Sequence, residues 1–415
     1  MPLLNKTEAR STAADTPTDP AAVRAPRTWS AARLALTAFF AIDGFLFAAW
    51  VVRIPDVRAQ VHASHSALGL ALLCISAGAV ATMALVGRLC LRYGSRRVTV
   101  GSLALLSLAV PLPAHTHSVA ALGAVLLLFG AGYGAANVSM NSAAVDLVAR
   151  LRRPVMPSFH AGYSLGGLLG AAVGGLLAGT LSAAWALALG GLLGLLVTAA
   201  AGAVLLRDPD GGGPAPTASP VPGTAQPATS APRHARLLVV LLGLTALCTA
   251  YGEGALADWA TLHLTDDVHA GAGLAAAGYA SFAFAMTAGR VSGTWLSIRL
   301  GATRVMLFGG LTAATGMLIA ALVPSVPAAL GGFVLVGVGL ANIFPLAIGR
   351  AGATGGPQGV ATASALGYAG MLIGPPVIGF LADAVGLPLA LTSVAAAAAL
   401  AGLLALTVGR PARTA

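Results

Sequence analysis

Charge is scarce in this chain of 415 residues, because Asp, Glu, Lys and Arg together make up 9% of it. So low a fraction excludes an ordinary soluble globular domain, in which about a quarter of the residues are charged. The three cysteines fit neither a disulfide framework nor a metal site. The sequence also lacks a Gly-Lys-Ser/Thr phosphate loop and a Ser/His/Asp arrangement. We therefore expect neither an ATP-driven pump nor an enzyme, and no cofactor or metal.

Apolar residues dominate instead, at 57% of the chain. The mean hydropathy is +0.86, as in an integral membrane protein. Apolar runs long enough to cross a hydrocarbon core of about 30 Å recur along the sequence. We predict an all-α membrane protein with twelve transmembrane helices, over residues 33–52, 66–87, 98–114, 119–141, 158–180, 185–206, 237–260, 272–296, 303–323, 327–348, 360–383 and 387–409.

Short sequence blocks repeat between the two halves of the chain. Arg92, Gly94 and Arg97 after span 2 have counterparts about 207 residues later, after span 8. Glycines repeat at similar offsets, as Gly130 and Gly132 with Gly337 and Gly339, and Gly166, Gly170 and Gly175 with Gly370, Gly374 and Gly379. The repeats predict two pseudo-symmetric six-helix bundles, 31–207 and 237–410. A flexible Gly- and Pro-rich cytoplasmic linker (208–236), a disordered N-terminal tail (1–30) and a short C-terminal tail (411–415) complete the predicted organisation.

The net charge of +10 reflects where the arginines fall. They concentrate in alternate loops, after spans 2, 4, 6, 8 and 10, whereas Arg53 and Arg58 occupy a loop on the other side. This asymmetry is typical of cytoplasmic loops in membrane proteins. We predict a multi-pass membrane protein with both termini in the cytoplasm. Its macromolecular surroundings are then the lipid bilayer, and no nucleic-acid partner is expected.

Two acids interrupt apolar runs, and each is followed by glycine: Asp43 in span 1 and Glu253 in span 7. A charged side chain at the bilayer centre costs about 2.5–3.5 kcal/mol on insertion scales, so such residues are usually functional. In a cavity of low dielectric constant, Asp43 would load and release a proton during transport. A protonated Asp43 that only packs against a neighbouring helix is the alternative. Glu253 lies nearer the outer end of its span and is assigned a supporting role.

Further polar and aromatic residues lie in spans that are expected to border a central cavity. Phe47 and Trp50 follow Asp43 by one and two helical turns, and Asn137 and Asn141 share one helix face. The substrate-binding candidates are Phe47, Trp50, Asn137, Asn141, His160, Tyr163, Asn342 and Tyr368. Each has a structural alternative: helix bridging for the asparagines, capping or packing for His160. Whether His160 and Asp258 act in function or structure is left open.

The loop from Gly87 to Arg97 reads Gly-x-x-x-x-Arg-x-Gly-x-Arg-Arg, which resembles the signature loop of the major facilitator superfamily. That resemblance implies a cytoplasmic gate in which Arg92, Arg96 and Arg97 pair with acids, Asp146 being the natural partner. The acid usual in the loop is replaced by Leu91. The alternative is that these arginines only set the topology.

Three further segments, FFAIDGFLFAAWVVRIPD, RPVMPSFHAGYSLGGLLGA and YGEGALADWATLHL, resemble a bacterial inner-membrane branch of this superfamily near the fucose permease group. The resemblance implies that the protein resides in the bacterial inner membrane and that Asp43 handles protons. The second working acid of the fucose permease lies in span 4, where this chain has Asn137 and Asn141.

Span 5 carries Gly166, Gly170 and Gly174 at intervals of four residues, a spacing that favours close helix packing. Gly370 and Gly374 repeat it in span 11. The pattern resembles a motif of drug antiporters, in which a proline stands where this chain has Ala171.

These features together predict a monomeric secondary transporter that works by alternating access. Protons are the expected coupling ion, and a small polar, sugar-like solute is the expected cargo. One alternative keeps transport but makes the chain a proton-coupled exporter of an amphipathic drug or natural product. Another is a membrane sensor or assembly partner that has the fold without transport.

Overall fold

The computed structural model describes residues 30–151, 155–207 and 233–408. Within these ranges the chain forms thirteen α-helices and one short 3-10 turn, and it contains no β-strand. The first half comprises α1 (Ala31–Val52), α2 (Ile54–Val61), α3 (His65–Tyr93), α4 (Ser95–Ala109), α5 (Val119–Leu151), α6 (Met156–Ala178) and α7 (Ala183–Arg207). The second half comprises α8 (Arg233–Asp266), α9 (Ala272–Leu300), α10 (Ala302–Leu322), α11 (Val326–Leu340), α12 (Ile343–Val385) and α13 (Leu387–Val408).

Twelve stretches of the described residues are long and apolar enough to cross a membrane, which confirms the all-α membrane fold. The helices extend further than hydropathy indicates. The apolar pattern ends span 2 at residue 87 and span 4 at residue 141, but α3 continues to Tyr93 and α5 to Leu151. Arginine is a good helix former, so a helix can continue in water after the apolar run ends. The predicted tails, and the linker up to residue 232, lie outside the described residues.

The short helix α2 is not predicted by the sequence pattern. It begins directly after α1, with Pro55 in its first turn, where a missing backbone N–H costs nothing. It ends at His62 in the left-handed conformation. The helix is therefore a connection at one end of the bundle, too short to cross the membrane.

All residues of α12 are helical, but the direction of the chain changes sharply between Ala351 and Gly359. A β-carbon at Gly359 would overlap the carbonyl oxygen of Ala351, eight residues earlier, which a straight helix would place about 12 Å away. The segment thus contains the end of one predicted span and the whole of the next, and the twelve-span count is preserved.

The repeat seen in the sequence is also present in the packing. A β-carbon at Gly130 would overlap the carbonyl oxygen of Ile75, and one at Gly337 would meet that of Phe282. Both residues of the second pair follow those of the first by 207 positions. The α3–α5 contact of the first half is therefore reproduced by the α9–α11 contact of the second.

The α1–α6 contact is repeated by the α8–α12 contact. Gly166 packs against the carbonyl oxygen of Ala41, and Gly370 packs against that of Leu247. Because the helices touch through their backbones, glycine is required at both positions. Gly170 is equally close to Phe45. A β-carbon at Gly174 would be in ordinary contact, 3.4 Å from Val52, and one at Gly374 would lie 3.6 Å from Tyr251.

The two halves meet mainly through α3 with α12 and α6 with α9. Gly69 near the start of α3 packs against the backbone of Pro375, and Gly175 near the end of α6 packs against Ala276. These contacts lie at the end of the bundle where α1 finishes and α3 begins. We call it the closed end, because there the two halves touch each other directly.

Candidate functional site

Asp43 occupies the middle of α1, twelve residues after Ala31 and nine before Val52. The next residue, Gly44, lets α6 approach so closely that a β-carbon would overlap the carbonyl oxygen of Tyr163. Asp43 is fully buried, and neither carboxylate oxygen has a hydrogen-bond partner among the described residues. Burying an unpaired carboxylate is costly, so this position is unfavourable for a permanent charge.

An aromatic cluster lies beside Asp43. The ring of Phe47 stacks on Tyr133 with centroids 5.2 Å apart, and Phe129 stacks on the same tyrosine at 6.4 Å. The hydroxyls of Tyr133 and Tyr163 lie 2.8 Å apart, within hydrogen-bonding distance. Asp43 is close enough to both tyrosines to interact with them electrostatically. The first half therefore presents ring faces and two paired hydroxyls next to the buried acid.

Trp50 occupies a different place from Phe47. It is fully buried and its ring packs at a tilt against Phe129, 6.3 Å between centroids. Trp50 is therefore a packing residue of the protein core, whereas Phe47 is only partly buried. Of the two aromatic candidates on α1, Phe47 is thus the one placed to contact a solute.

The second half contributes tyrosines and an ion pair. Tyr279 and Tyr368 are close enough to Tyr133 to interact with it electrostatically. Arg290 on α9 donates to Glu253 on α8 over 3.1 Å. The arginine side chain is 47% exposed and the glutamate side chain 23% exposed, although both belong to membrane-spanning segments. The pair is therefore partly exposed within the membrane-spanning part of the protein.

Arg290 is absent from the predicted site residues, although the sequence carries the signal. It interrupts the apolar run of span 8, and a charged residue at such a position is usually functional. Arg290 also lies close enough to His160 in the first half to interact with it electrostatically. His160 is exposed and its ring contacts Phe40 edge-on, with centroids 5.4 Å apart. The structure therefore brings His160 of the first half near Arg290 of the second half, which in turn binds Glu253.

Two of the three asparagine candidates donate side-chain hydrogen bonds to backbone carbonyls. Asn141 donates to the backbone carbonyl of Asn137, one turn earlier on α5, over 2.8 Å. Asn342 donates to the carbonyl of Gly289 over 2.9 Å and is only 9% exposed. Asn342 thus ties the α11–α12 junction to α9 beside Arg290, and its helix-bridging role has direct geometric support.

Packing also refines the relation between the two acids. The helix α1 contacts repeat in α8 after 206 residues, as Ala41 does with Leu247. At that offset Asp43 corresponds to Thr249, and Glu253 corresponds to Phe47. Glu253 therefore lies one turn closer to the closed end than the symmetry-related position of Asp43. The sequence pairing of the two acid-glycine dipeptides missed this difference of one helical turn.

Two ionic contacts between the halves hold the closed end, and sequence reasoning missed both. Arg58 after α1 pairs with Asp266 at the end of α8. Asp383 on α12 accepts hydrogen bonds from the backbone N–H groups of His65 and Ser66, each 2.9 Å long, and lies 3.2 Å from the His65 ring nitrogen. The carboxylate thereby caps the first turn of α3, a favourable place for negative charge.

At the opposite end, the residues of the predicted gate make contacts within the first half. Ser95 donates to Asp146 over 2.9 Å, and the Arg96 side chain donates to the carbonyl of Leu205 over 3.1 Å. Arg92 lies over the ring of Tyr93, and Arg97 is exposed. The pairing of these arginines with Asp146 stays a prediction.

Two bundles of membrane-spanning helices that meet at one end, with ionisable and aromatic side chains near the contact between them, are typical of a multi-pass membrane transporter. Residues 34–354 match the model of the Major Facilitator Superfamily. An uncharacterised MFS-type transporter of Yersinia pestis is 35% identical over 91% of this chain and 93% of its own length. The membrane protein MosC of Rhizobium meliloti is 31% identical over 86% and 85%. The chain belongs to the major facilitator superfamily and is a transporter, not an enzyme.

Solved structures agree on the fold. A bacterial homologue of the human lysosomal transporter Spinster, in an inward-facing and occupied conformation, gives a TM-score of 0.70 at 16% identity, covering 91% of this chain and 96% of that one. The nucleoside transporter NupG gives 0.69 at 13% identity, covering 92% and 99%. At this level of identity the likeness shows the fold alone. The narrower resemblance to the fucose permease group stays a prediction.

Proposed function

We propose that this protein is a proton-coupled secondary transporter of a small polar, sugar-like solute, and that Asp43 carries the coupling proton. The observation that supports it is the complete burial of Asp43 with both oxygens unpartnered among the described residues. Proton uptake removes the cost of a buried charge, and proton release requires water or another partner to reach the group. A carboxyl group in this position therefore links its protonation to the opening of the cavity.

The aromatic cluster and the ion pair suit a polar solute with a ring. Sugar rings present apolar faces, which pack on aromatic rings such as the partly buried Phe47 and Tyr133, and hydroxyl groups, which bond to polar side chains. The Tyr133 and Tyr163 hydroxyls supply donors and acceptors on one side. Glu253 and Arg290 supply charged partners on the other. A solute held by both sets would contact both halves at once, as alternating access requires.

The contacts at the closed end indicate which interactions must break during the transport cycle. To open it, the Arg58–Asp266 and Asp383–His65 contacts must separate while the opposite ends of the halves approach each other. We place both termini in the cytoplasm, on the side opposite the closed end, because the arginines concentrate there. The protein then faces inward in this structure. We further propose that it works as a monomer, since each chain contains both halves of the cavity.

The proposal is tested with the conservative variant Asp43→Asn in proteoliposomes. A thermal-shift screen of sugars, polyols and amphipathic drugs first supplies a solute that binds, and that compound is then used in radiolabelled form. We expect Asp43→Asn to lose accumulation driven by an imposed pH gradient and to keep solute exchange at equal pH. Asp267→Asn, which removes an acid that pairs with His263 within the second half, is the matched control and should keep gradient-driven accumulation. Full gradient-driven accumulation by Asp43→Asn would contradict the assignment.

A further inference from the structure

A cavity lies in the first half, and none of the residues that line it belongs to the second half. It has a volume of about 120 Å³ and is bordered by α1, α6 and α7. Its lining is apolar or glycine except for Arg53, which follows the last residue of α1. Leu189, Leu193 and Val173 on its rim are 47%, 41% and 39% exposed, so the groove opens toward the surrounding lipid.

Arg53 is an unusual residue for an apolar groove. It is 1% exposed, and its Nη1 donates to Asp56 over 3.0 Å. Its Nε and Nη2 have no hydrogen-bond partner among the described residues. These two nitrogens form one edge of the guanidinium, which binds two oxygens of a carboxylate or phosphate side by side. A buried donor without a partner is costly, so this edge requires an acceptor from outside the described chain.

The depth of the groove indicates where that acceptor comes from. Arg53 lies at the end of a membrane-spanning helix, and Ala186 and Leu187 of the groove belong to the first turns of α7. Trp185, the preceding residue, is 67% exposed. Exposed tryptophans at helix ends are typical of the level of the lipid headgroups. The groove therefore joins a headgroup-level arginine to an acyl-chain-level apolar surface.

We propose that this groove is a binding site for one phospholipid, whose phosphate accepts hydrogen bonds from Nε and Nη2 of Arg53 while an acyl chain lies along α6 and α7. Asp56 already balances the arginine charge, so the site recognises the phosphate group shared by phospholipids, not net negative charge. Phosphatidylglycerol and phosphatidylethanolamine are both ligands, and a lipid without phosphate is not.

The chain offers variants that separate the two parts of the site. Arg53→Gln removes the paired donors. Gly190→Leu fills the groove without touching the arginine, since a β-carbon at Gly190 would meet only the Leu46 and Phe45 side chains at 4.0 Å. Arg207→Gln, at the other end of α7, removes the same charge outside the groove and is the matched control.

The experiment uses the full chain purified in a maltoside detergent, which contains no phosphate. Native mass spectrometry and thermal shift are recorded with added phosphatidylglycerol, with diacylglycerol of the same acyl chains and with inorganic phosphate. We expect phosphatidylglycerol alone to raise the melting temperature and to remain bound. Its affinity should fall about tenfold or more in Arg53→Gln and in Gly190→Leu, and stay unchanged in Arg207→Gln.

Three results would overturn the proposal. Stabilisation by diacylglycerol equal to that by phosphatidylglycerol would show that the phosphate is not recognised. A shift produced by inorganic phosphate alone would indicate a site for a soluble anion. Unchanged phosphatidylglycerol binding in Gly190→Leu would place the lipid elsewhere, and this variant keeps the test decisive if Arg53→Gln does not fold.

Discussion

A substitution at Asp383 gives a quantitative test of the contacts that join the two halves at the closed end. It belongs to the second half and binds the first turn of α3 in the first half through two backbone hydrogen bonds and the His65 ring. The substitution Asp383→Asn keeps the size of the side chain and one acceptor oxygen but removes the charge. These hydrogen bonds form only while the two halves touch at this end. The variant therefore changes the balance between the state in which this end is closed and the state in which it is open.

The size of the change follows from the hydrogen bonds and the charge that the substitution removes. Hydrogen bonds to a charged group contribute about 1.5–3 kcal/mol each, and negative charge at a helix N-terminus adds about 0.3–1 kcal/mol. The Asp383 side chain is 32% exposed, so solvent screens part of this, and asparagine retains one hydrogen bond. We expect a net shift of about 1–2 kcal/mol toward the state in which this end is open, a factor of about 5–30 in population.

Distances between spin labels on the two halves measure that shift. Labels on cysteines introduced at His117 and Val323, in loops of different halves at the closed end, would report separation after the three native cysteines are replaced. Asp383→Asn should raise the ratio of long-distance to short-distance molecules by the factor given above. Asp267→Asn is the matched control, because Asp267 pairs with His263 within the second half and its side chain is 27% exposed. An unchanged distance distribution in Asp383→Asn would refute the claim that this contact stabilises the state in which this end is closed.

Three further predictions concern packing, binding and orientation. Gly166→Ala should destabilise the protein by about 1–3 kcal/mol, because α1 and α6 touch there through their backbones. Gly101→Ala is the control: a β-carbon there would have no neighbour within 4 Å, so the melting temperature should stay unchanged. Tyr133→Phe removes a hydroxyl pair 2.8 Å apart and should weaken binding of the screened solute about three- to tenfold, as titration calorimetry would show. An impermeant maleimide added to intact cells should label a cysteine at His117 but not one at Arg97.

Each of these has a clear contrary result. Equal melting temperatures for the two glycine variants would show that the α1–α6 contact tolerates a wider separation. Unchanged solute affinity in the tyrosine variant would remove the aromatic cluster from the binding site. Labelling at Arg97 in intact cells would reverse the orientation and, with it, the direction in which the cavity opens.

Local composition was sufficient to predict much of the fold. Apolar runs predicted twelve spans, and the glycine repeats predicted two related bundles, because a backbone contact between helices demands glycine at the same place in each half. Gly94 and Gly301, 207 residues apart, show this directly. Both adopt positive φ angles, of 85° and 80°, at equivalent turns between helices. Such a conformation is accessible to glycine and recognisable in sequence.

The rest depended on contacts between residues far apart in the chain. Asp383 and His65 are 318 residues apart, and nothing in either segment alone indicates the other. The helix packing was also needed to see that Glu253 lies four residues beyond the position that corresponds to Asp43. A shift of four residues leaves the apolar pattern of a helix nearly unchanged, so the sequence does not reveal it. Arg290 is different: its position in an apolar run was visible, and only its partner Glu253 required the structure.

Solute-induced proton movement into proteoliposomes tests the role of Asp43 most directly. A pH-sensitive dye inside the vesicles would record proton entry when the solute found in the screen is added outside, for the unmodified protein and for Asp43→Asn. We predict that solute drives proton entry through the unmodified protein and that Asp43→Asn binds the solute without moving protons. Proton entry of equal size in Asp43→Asn would contradict the conclusion that this buried carboxyl carries the proton.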